Sequence, residues 1–236
     1  MRNKYDKFMD KDEVGGPNDN YEILGNKILN VSDLCLEFIM EDMTKCLDEQ
    51  YFKVLLSREW LVNDKIITTI IETSSDYMID LTHLRPESQL ETLIKWHNRI
   101  KVEYMKGFLQ NLSMSRVLRK CQFSEPSERN LFSTKVTKEI ISLEQWFQNM
   151  APGDKGLFDF GILTAMNKIV KADDVDFISV EIGALVKICP DLNSDMLYAL
   201  LSLRGDISKS DYKEVSYYFL LGLVKEFSRS ALSIHL

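Results

Sequence analysis

The sequence predicts an all-α protein, a rod-like stack of antiparallel helical bundles with about nine helices. Three observations predict it. Only five prolines and ten glycines interrupt the 236 residues, and these are the residues that end helices. Apolar residues recur at spacings of three and four through most of the chain, which is the period of one helix face. The breakers fall between the periodic segments rather than inside them. Segments of these lengths suit stacked helix pairs better than one compact ball.

The elements follow in order. Residues 1 to 19 are polar, carry Gly15-Gly16-Pro17 and read as a disordered lead-in. Residues 20 to 236 form the helical region. From Tyr21 to Leu47, the residues Ile28, Val31, Leu34, Cys35, Phe38 and Ile39 mark one helix face. Phe52, Leu55, Leu56 and Trp60 predict a shorter second helix. A third starts near Asp64 and runs through Ile66, Ile67, Ile70 and Ile71 to Leu81. Its β-branched run could be a strand, but the longer helical period and the lack of a partner strand favour helix.

Arg85 precedes Pro86, so the chain turns there and a new first turn follows. The fourth helix is expected from about Glu87 to Cys121. Ser124-Glu125-Pro126 reads as a capping serine with an acid and a proline in the first turn of a fifth helix. Pro152-Gly153 ends that helix. Leu157 to Val170 is the sixth, and Asp173-Asp174 is an acidic start for the seventh. Ile178, Ile182, Leu185 and Cys189 line the seventh helix, and Pro190 stops it. A short eighth helix carries Met196, Leu197, Leu200 and Leu201, with Gly205 as its stop. Ser208-Lys209-Ser210-Asp211 is a capping-box start for the last helix.

Composition narrows function. The apolar fraction of 45% is ample for a packed core. The net charge of −7 argues against a general nucleic-acid binder but leaves room for a local basic patch. Cys35, Cys46, Cys121 and Cys189 have no CxxC spacing, so they read as reduced thiols on helix faces, as in the cytosol. Residues 1 to 20 hold no apolar run of a secretory signal. No stretch approaches the roughly 18 apolar residues of a membrane span.

One charge feature stands out. Seven basic residues and a single acid, Glu103, lie between Leu93 and Cys121. At roughly 100° per residue, Lys95, Arg99, Lys106, Arg116 and Lys120 share about a third of the helix circumference. Leu93, Trp96, Ile100, Tyr104 and Phe108 take the opposite side. The ridge is either a solvated face balanced by acids on neighbouring helices or a docking strip for an acidic partner or anionic lipid.

No catalytic constellation emerges, and neither a metal nor a cofactor is expected. His83, His97 and His235 include no pair at i, i+4 spacing. His97 lies beside the apolar stripe and reads as a packed, satisfied side chain. Asp76 and Asp80 share a face but make a poor metal site without further ligands, and Asp76 is expected to meet a Lys or Arg. Gly153-Asp154-Lys155-Gly156 lacks Walker spacing. Arg204-Gly205-Asp206 reads as a helix stop and turn.

Three segments resemble the exocyst complex component 3 family. The first begins at Asp76-Tyr77, Asp80-Leu81, Leu84 and Pro86, and continues through Trp96-His97-Asn98-Arg99-Ile100 and Glu103-Tyr104 to Phe108. The second is Ser127-Glu128-Arg129 through Leu143 and Phe147. The third is Pro190-Asp191-Leu192 through Leu200-Leu201-Ser202-Leu203-Arg204-Gly205-Asp206-Ile207-Ser208. They occur in the family's order and cover about 60 to 225.

The resemblance implies a fold of the vesicle-tethering type and the C-terminal bundles of a several-fold longer protein. It implies a non-catalytic tether or scaffold in exocytosis, cytoplasmic and peripheral at the plasma membrane. Implied partners are other exocyst subunits and SNARE proteins. Trp96, where the family usually has leucine, favours the tumour necrosis factor alpha-induced protein 2 (M-Sec-like) branch. That branch implies instead an adaptor for a Ral-type GTPase in membrane protrusion. A module binding anionic lipid independently of exocyst is the third reading.

Overall fold

The structure is a computed structural model that describes residues 18–48, 50–110, 122–154 and 156–233. Among these, nine α-helices and two 3-10 turns account for the regular structure, and there is no strand. The helices are α1 (Asn18–Asp48), α2 (Arg58–Val62), α3 (Lys65–Asp80), α4 (Pro86–Phe108), α5 (Pro126–Met150), α6 (Gly161–Lys171), α7 (Val175–Ile188), α8 (Ser194–Leu201) and α9 (Lys209–Ser233). The all-α expectation is met, and the β-branched run at Ile66 is helical. The chain divides into two compact units, Met1–Asp42 and Met43–Leu236, with α1 contributing to both.

Local chemistry sets the boundaries. Arg85 is extended and Pro86 occupies the first turn of α4, as the X-Pro restriction requires. Asp174 caps α7 by accepting from Phe177 N at 2.9 Å. At α9, Ser208 Oγ accepts from Asp211 N at 3.2 Å while the Asp211 carboxylate accepts from Ser208 N at 3.0 Å. That is the reciprocal capping box read from the sequence. The cap expected at Ser124 is not formed. Glu125 is the N-cap residue of α5, without a side-chain cap bond, because the Ser124 side chain is turned toward Gly205.

Three helices differ from expectation. The second splits into a 3-10 turn (Phe52–Val54) and the short α2. Leu56 separates them with φ +60°, a left-handed conformation costly for leucine. Burial explains it. Leu55 and Leu56 are 2% and 0% exposed, and their backbone crosses α4 at Gly107, where an added Cβ would lie 3.1 Å from Leu55 O. Gly107 is therefore a contact surface, not a weak point of α4. The fourth helix ends at Phe108 rather than Cys121, and residues 111–121 lie outside the described set. The sixth begins at Gly161 rather than Leu157.

Within the second unit α5 packs on α6, α6 on α7 and α7 on α9. Its core is aromatic-rich. Phe132 sits 5.4 Å from Trp60, 6.0 Å from Phe108 and 4.7 Å from Phe123 between ring centroids. A second cluster joins Phe147, Phe158 and Phe160 around His97, at 5.3, 5.6 and 4.6 Å. All three tryptophans satisfy their indole N–H. Trp96 donates to Ser74 Oγ and Trp146 to Ser75 Oγ, each at 2.8 Å, and Trp60 donates to Glu139. A buried indole left without an acceptor would lose about 1–3 kcal/mol.

Candidate functional site

The basic strip on α4 is the surface feature to build from. Trp96, Ile100, Tyr104 and Phe108 are all 0% exposed, so the opposite face must point to water. On that face the side chains of Lys95, Arg99 and Lys106 are 35%, 34% and 59% exposed. Each cation has a carboxylate partner. Lys95 meets Glu91 at 3.4 Å, and Arg99 and Lys106 meet Glu103 at 2.8 and 2.7 Å. Glu103 is only 5% exposed at its side chain, so two cations at its rim offset its desolvation. The described strip is thus three fixed cations over two acids. Arg116 and Lys120, expected to extend it, lie outside the described residues.

The Glu-Arg and Leu-Arg-Gly-Asp segments converge in the interior. Arg129 and Arg204 are 4% and 3% exposed. Asp206 bridges them, accepting from Arg204 Nη2 and from Arg129 Nη1, both at 2.9 Å. Arg204 also donates to Ile169 O at 3.1 Å and to Ala172 O, closing the last turn of α6. Arg129 donates to Ser124 O at 2.5 Å, and Phe123 N donates to Leu203 O at 2.7 Å. Gly205 completes the join, since an added Cβ would fall 1.8 Å from Ser124 Oγ. The Arg-Gly-Asp tripeptide is a turn, as the sequence suggests, and it clamps α5, α6 and the α8–α9 connection. Neighbouring Glu128 binds Arg58 at 2.5 Å, and the guanidinium beside it holds its carboxyl below the usual range.

A second buried carboxylate was not anticipated. Glu139 is 3% exposed. It accepts from Trp60 Nε1 at 3.0 Å and from Tyr104 Oη at 2.7 Å, tying α2 and α4 to α5. Lys135, one turn earlier, is committed elsewhere. Its ammonium lies on Asp64 at 2.8 Å and over the Trp60 ring at 5.1 Å. Burial pushes Glu139 up to about 7, and burial likewise raises Tyr104 well above its ordinary range. The sequence held a signal. Glu139 lies three residues after Val136 and four before Leu143, inside the apolar stripe of α5.

The remaining candidates resolve simply. His97 is packed, as expected, at 3% exposure, and burial pushes it down to about 4. Its Nε2 lacks a hydrogen-bond partner among the described residues, so it is packed but not fully satisfied. Asp76 and Asp80 are exposed, and among the described residues Asp76 makes no ion pair, contrary to expectation. The helix it lies on turns that face to solvent. Among the described residues no group of three or more His, Cys, Asp and Glu could hold a metal ion. No helix among them is long and apolar enough to cross a membrane.

Comparison with known proteins agrees with the three resembling segments. The profile of the family described as "Exocyst complex component Sec6" matches residues 1–209. Exocyst complex component 3 of Caenorhabditis elegans is 22% identical over 202 residues, 84% of this chain and 24% of that protein. The mouse exocyst complex component 3-like protein is 22% identical over 158 residues, 67% of this chain and 20% of that one. The crystal structure of M-Sec superposes with a TM-score of 0.65 at 17% identity, covering 84% of this chain and 31% of that one. The chain therefore spans about a quarter of the length of the curated relatives it matches. With the profile covering most of its residues, the chain belongs to the exocyst complex component Sec6 family.

Proposed function

We propose that this chain is a non-catalytic tether or scaffold acting in exocytosis, cytoplasmic and peripheral at the plasma membrane. The observation that carries the reading is the family match across residues 1–209. Exocyst subunits and SNARE proteins are its proposed partners, and the α4 strip is its proposed docking surface. Lys95, Arg99 and Lys106 are held in place by Glu91 and Glu103, so an acidic partner meets cations already fixed. Arg116 and Lys120 belong to the same proposal.

The second reading is an M-Sec-like adaptor for a Ral-type GTPase. Its support is the resemblance, which favours the M-Sec-like branch at Trp96, a residue that here fills the core and donates to Ser74. Contact with anionic lipid is the third reading, which the same cations would serve.

The test is capture of purified exocyst subunits, SNARE proteins, a GTP-loaded Ral-type GTPase and phosphatidylserine vesicles. Wild type is compared with a Lys95→Gln, Arg99→Gln, Glu103→Gln, Lys106→Gln variant. Removing Glu103 with its two cations avoids leaving a buried carboxylate unpaired. Loss of one protein partner in a variant with an unchanged melt supports the docking strip and identifies the branch. Equal capture by both proteins sinks the strip. Binding to vesicles alone, falling steeply with salt, favours the lipid reading.

A further inference from the structure

Within the second unit, α7 has two apolar sides. Ile178, Ile182, Leu185 and Val186 face the core and are 0–1% exposed. Phe177, Val180 and Ile188 are 62%, 68% and 51% exposed, and Ala184 is exposed with them. Spacings of three, four and four place these four within about 80° of the helix circumference. An added Cβ at Gly183 would meet nothing within 4 Å, so the adjoining surface is open as well. α9 packs on α7 and leaves Tyr217 and Leu220 61% and 55% exposed. Single exposed apolar residues are ordinary, but a stripe of them marks a contact. A helix apolar on both sides is ordinarily buried on both.

We propose that the outer stripe of α7 docks a basic amphipathic helix of a partner protein, on a surface separate from the α4 strip. The spacing suits a helix, which reads its anchors at three and four residues. Charge selects its sign. Between positions 173 and 191 the chain carries Asp173, Asp174, Asp176, Glu181 and Asp191 against Lys187 alone. Asp173 and Asp174 precede the first turn, Asp176 borders one edge of the stripe and Glu181 the other. Asp173, Asp176 and Asp191 are exposed. Glu181 has only a long contact with Lys168, at 4.0 Å.

The same charges weigh against the other occupants. A second copy would bring two acidic segments together, and an anionic bilayer would be repelled. Lysines or arginines flanking an apolar helix face would meet the acids at both edges while the apolar residues cover Phe177 and Val180. One stripe is a small area, so the contact belongs to the weak, transient class.

The probe is a labelled amphipathic peptide of about five helical turns, with leucines at the stripe's spacing and lysines on both flanks. A twin peptide carries glutamates in place of the lysines. Fluorescence anisotropy of each is followed as the full chain is added. The lysine peptide should bind saturably and the glutamate twin at least about tenfold more weakly. Phe177→Gln with Ile188→Gln should weaken the lysine peptide at least about tenfold with an unchanged melt. Asp173→Asn with Asp176→Asn should narrow the gap between the peptides to under about threefold. The variant lacking the α4 strip should bind as wild type does, so the two surfaces stand or fall separately. Absence of saturable binding overturns the proposal, as do equal binding of both peptides and binding that survives Phe177→Gln with Ile188→Gln. A dimer that those two substitutions dissolve, or capture by phosphatidylserine vesicles that they abolish, would assign the stripe to a second copy or to lipid and overturn it too.

Discussion

Replacing Glu139 by glutamine should change how stability depends on pH while leaving the fold intact. The carboxyl is 3% exposed and receives only the neutral donors Trp60 and Tyr104. Its folded pKa is about 7, against 4.5 ordinarily. A raised carboxyl pKa means the folded state keeps its proton longer than the unfolded chain. Its stabilisation is fully present below pH 4.5 and is lost as pH rises through 7. Between pH 5 and pH 8 the shift amounts to about 2.5 kcal/mol. Glutamine has the same shape, accepts from one donor and carries no charge at either pH. Urea unfolding of both proteins at pH 5 and pH 8 should show the variant gaining about 2.5 kcal/mol on wild type over that interval. That corresponds to roughly 5–10 °C in melting temperature for a chain of this size. Other titrating groups act on both proteins and cancel in the difference. Parallel profiles, within about 0.5 kcal/mol, would show that water or Lys135 compensates the carboxylate and would refute the desolvation argument.

The remaining predictions follow from the same structure. His97, held down to about 4 by burial among three phenylalanines, contributes stability present above pH 6.5 and lost as pH falls toward 4. His97→Phe should therefore gain about 2 kcal/mol on wild type between pH 8 and pH 5, measured by the same unfolding series. Asp206→Ala leaves the buried guanidiniums of Arg129 and Arg204 without their carboxylate and should cost about 3–5 kcal/mol in urea unfolding. Gly205→Ala drives a methyl group into Ser124 and should cost about 1–3 kcal/mol, largely restored by Ser124→Gly. Gly107→Ala pushes against the Leu55–Leu56 backbone. It should lower the melting temperature although alanine is the better helix former, the opposite of its effect on an exposed helix.

The sequence by itself determined the helices, most of their ends and, for the helices of the second unit, most of the side that faces inward; on α1 the predicted residues Ile28, Val31, Leu34 and Phe38 are exposed. Those properties depend on neighbours within one or two turns: the Arg85–Pro86 step, the Asp174 cap and the Ser208–Asp211 box are complete in a few residues. The buried stripe of α4 was legible for the same reason, and so was the basic side opposite it. The three family-like segments were legible as a resemblance, but their use was not. Arg129 and Asp206 are far apart in the chain, and only the packing of α5 against the α8–α9 connection makes them partners. The same holds for Glu139, whose donors come from α2 and α4. Leu56 adopts an unfavourable backbone conformation because a crossing at Gly107 buries its side chain. Local propensity reads the short-range terms of the free energy. Which charges are buried, which glycines are contact surfaces and which cations already hold a carboxylate are long-range terms, and tertiary packing alone decided them.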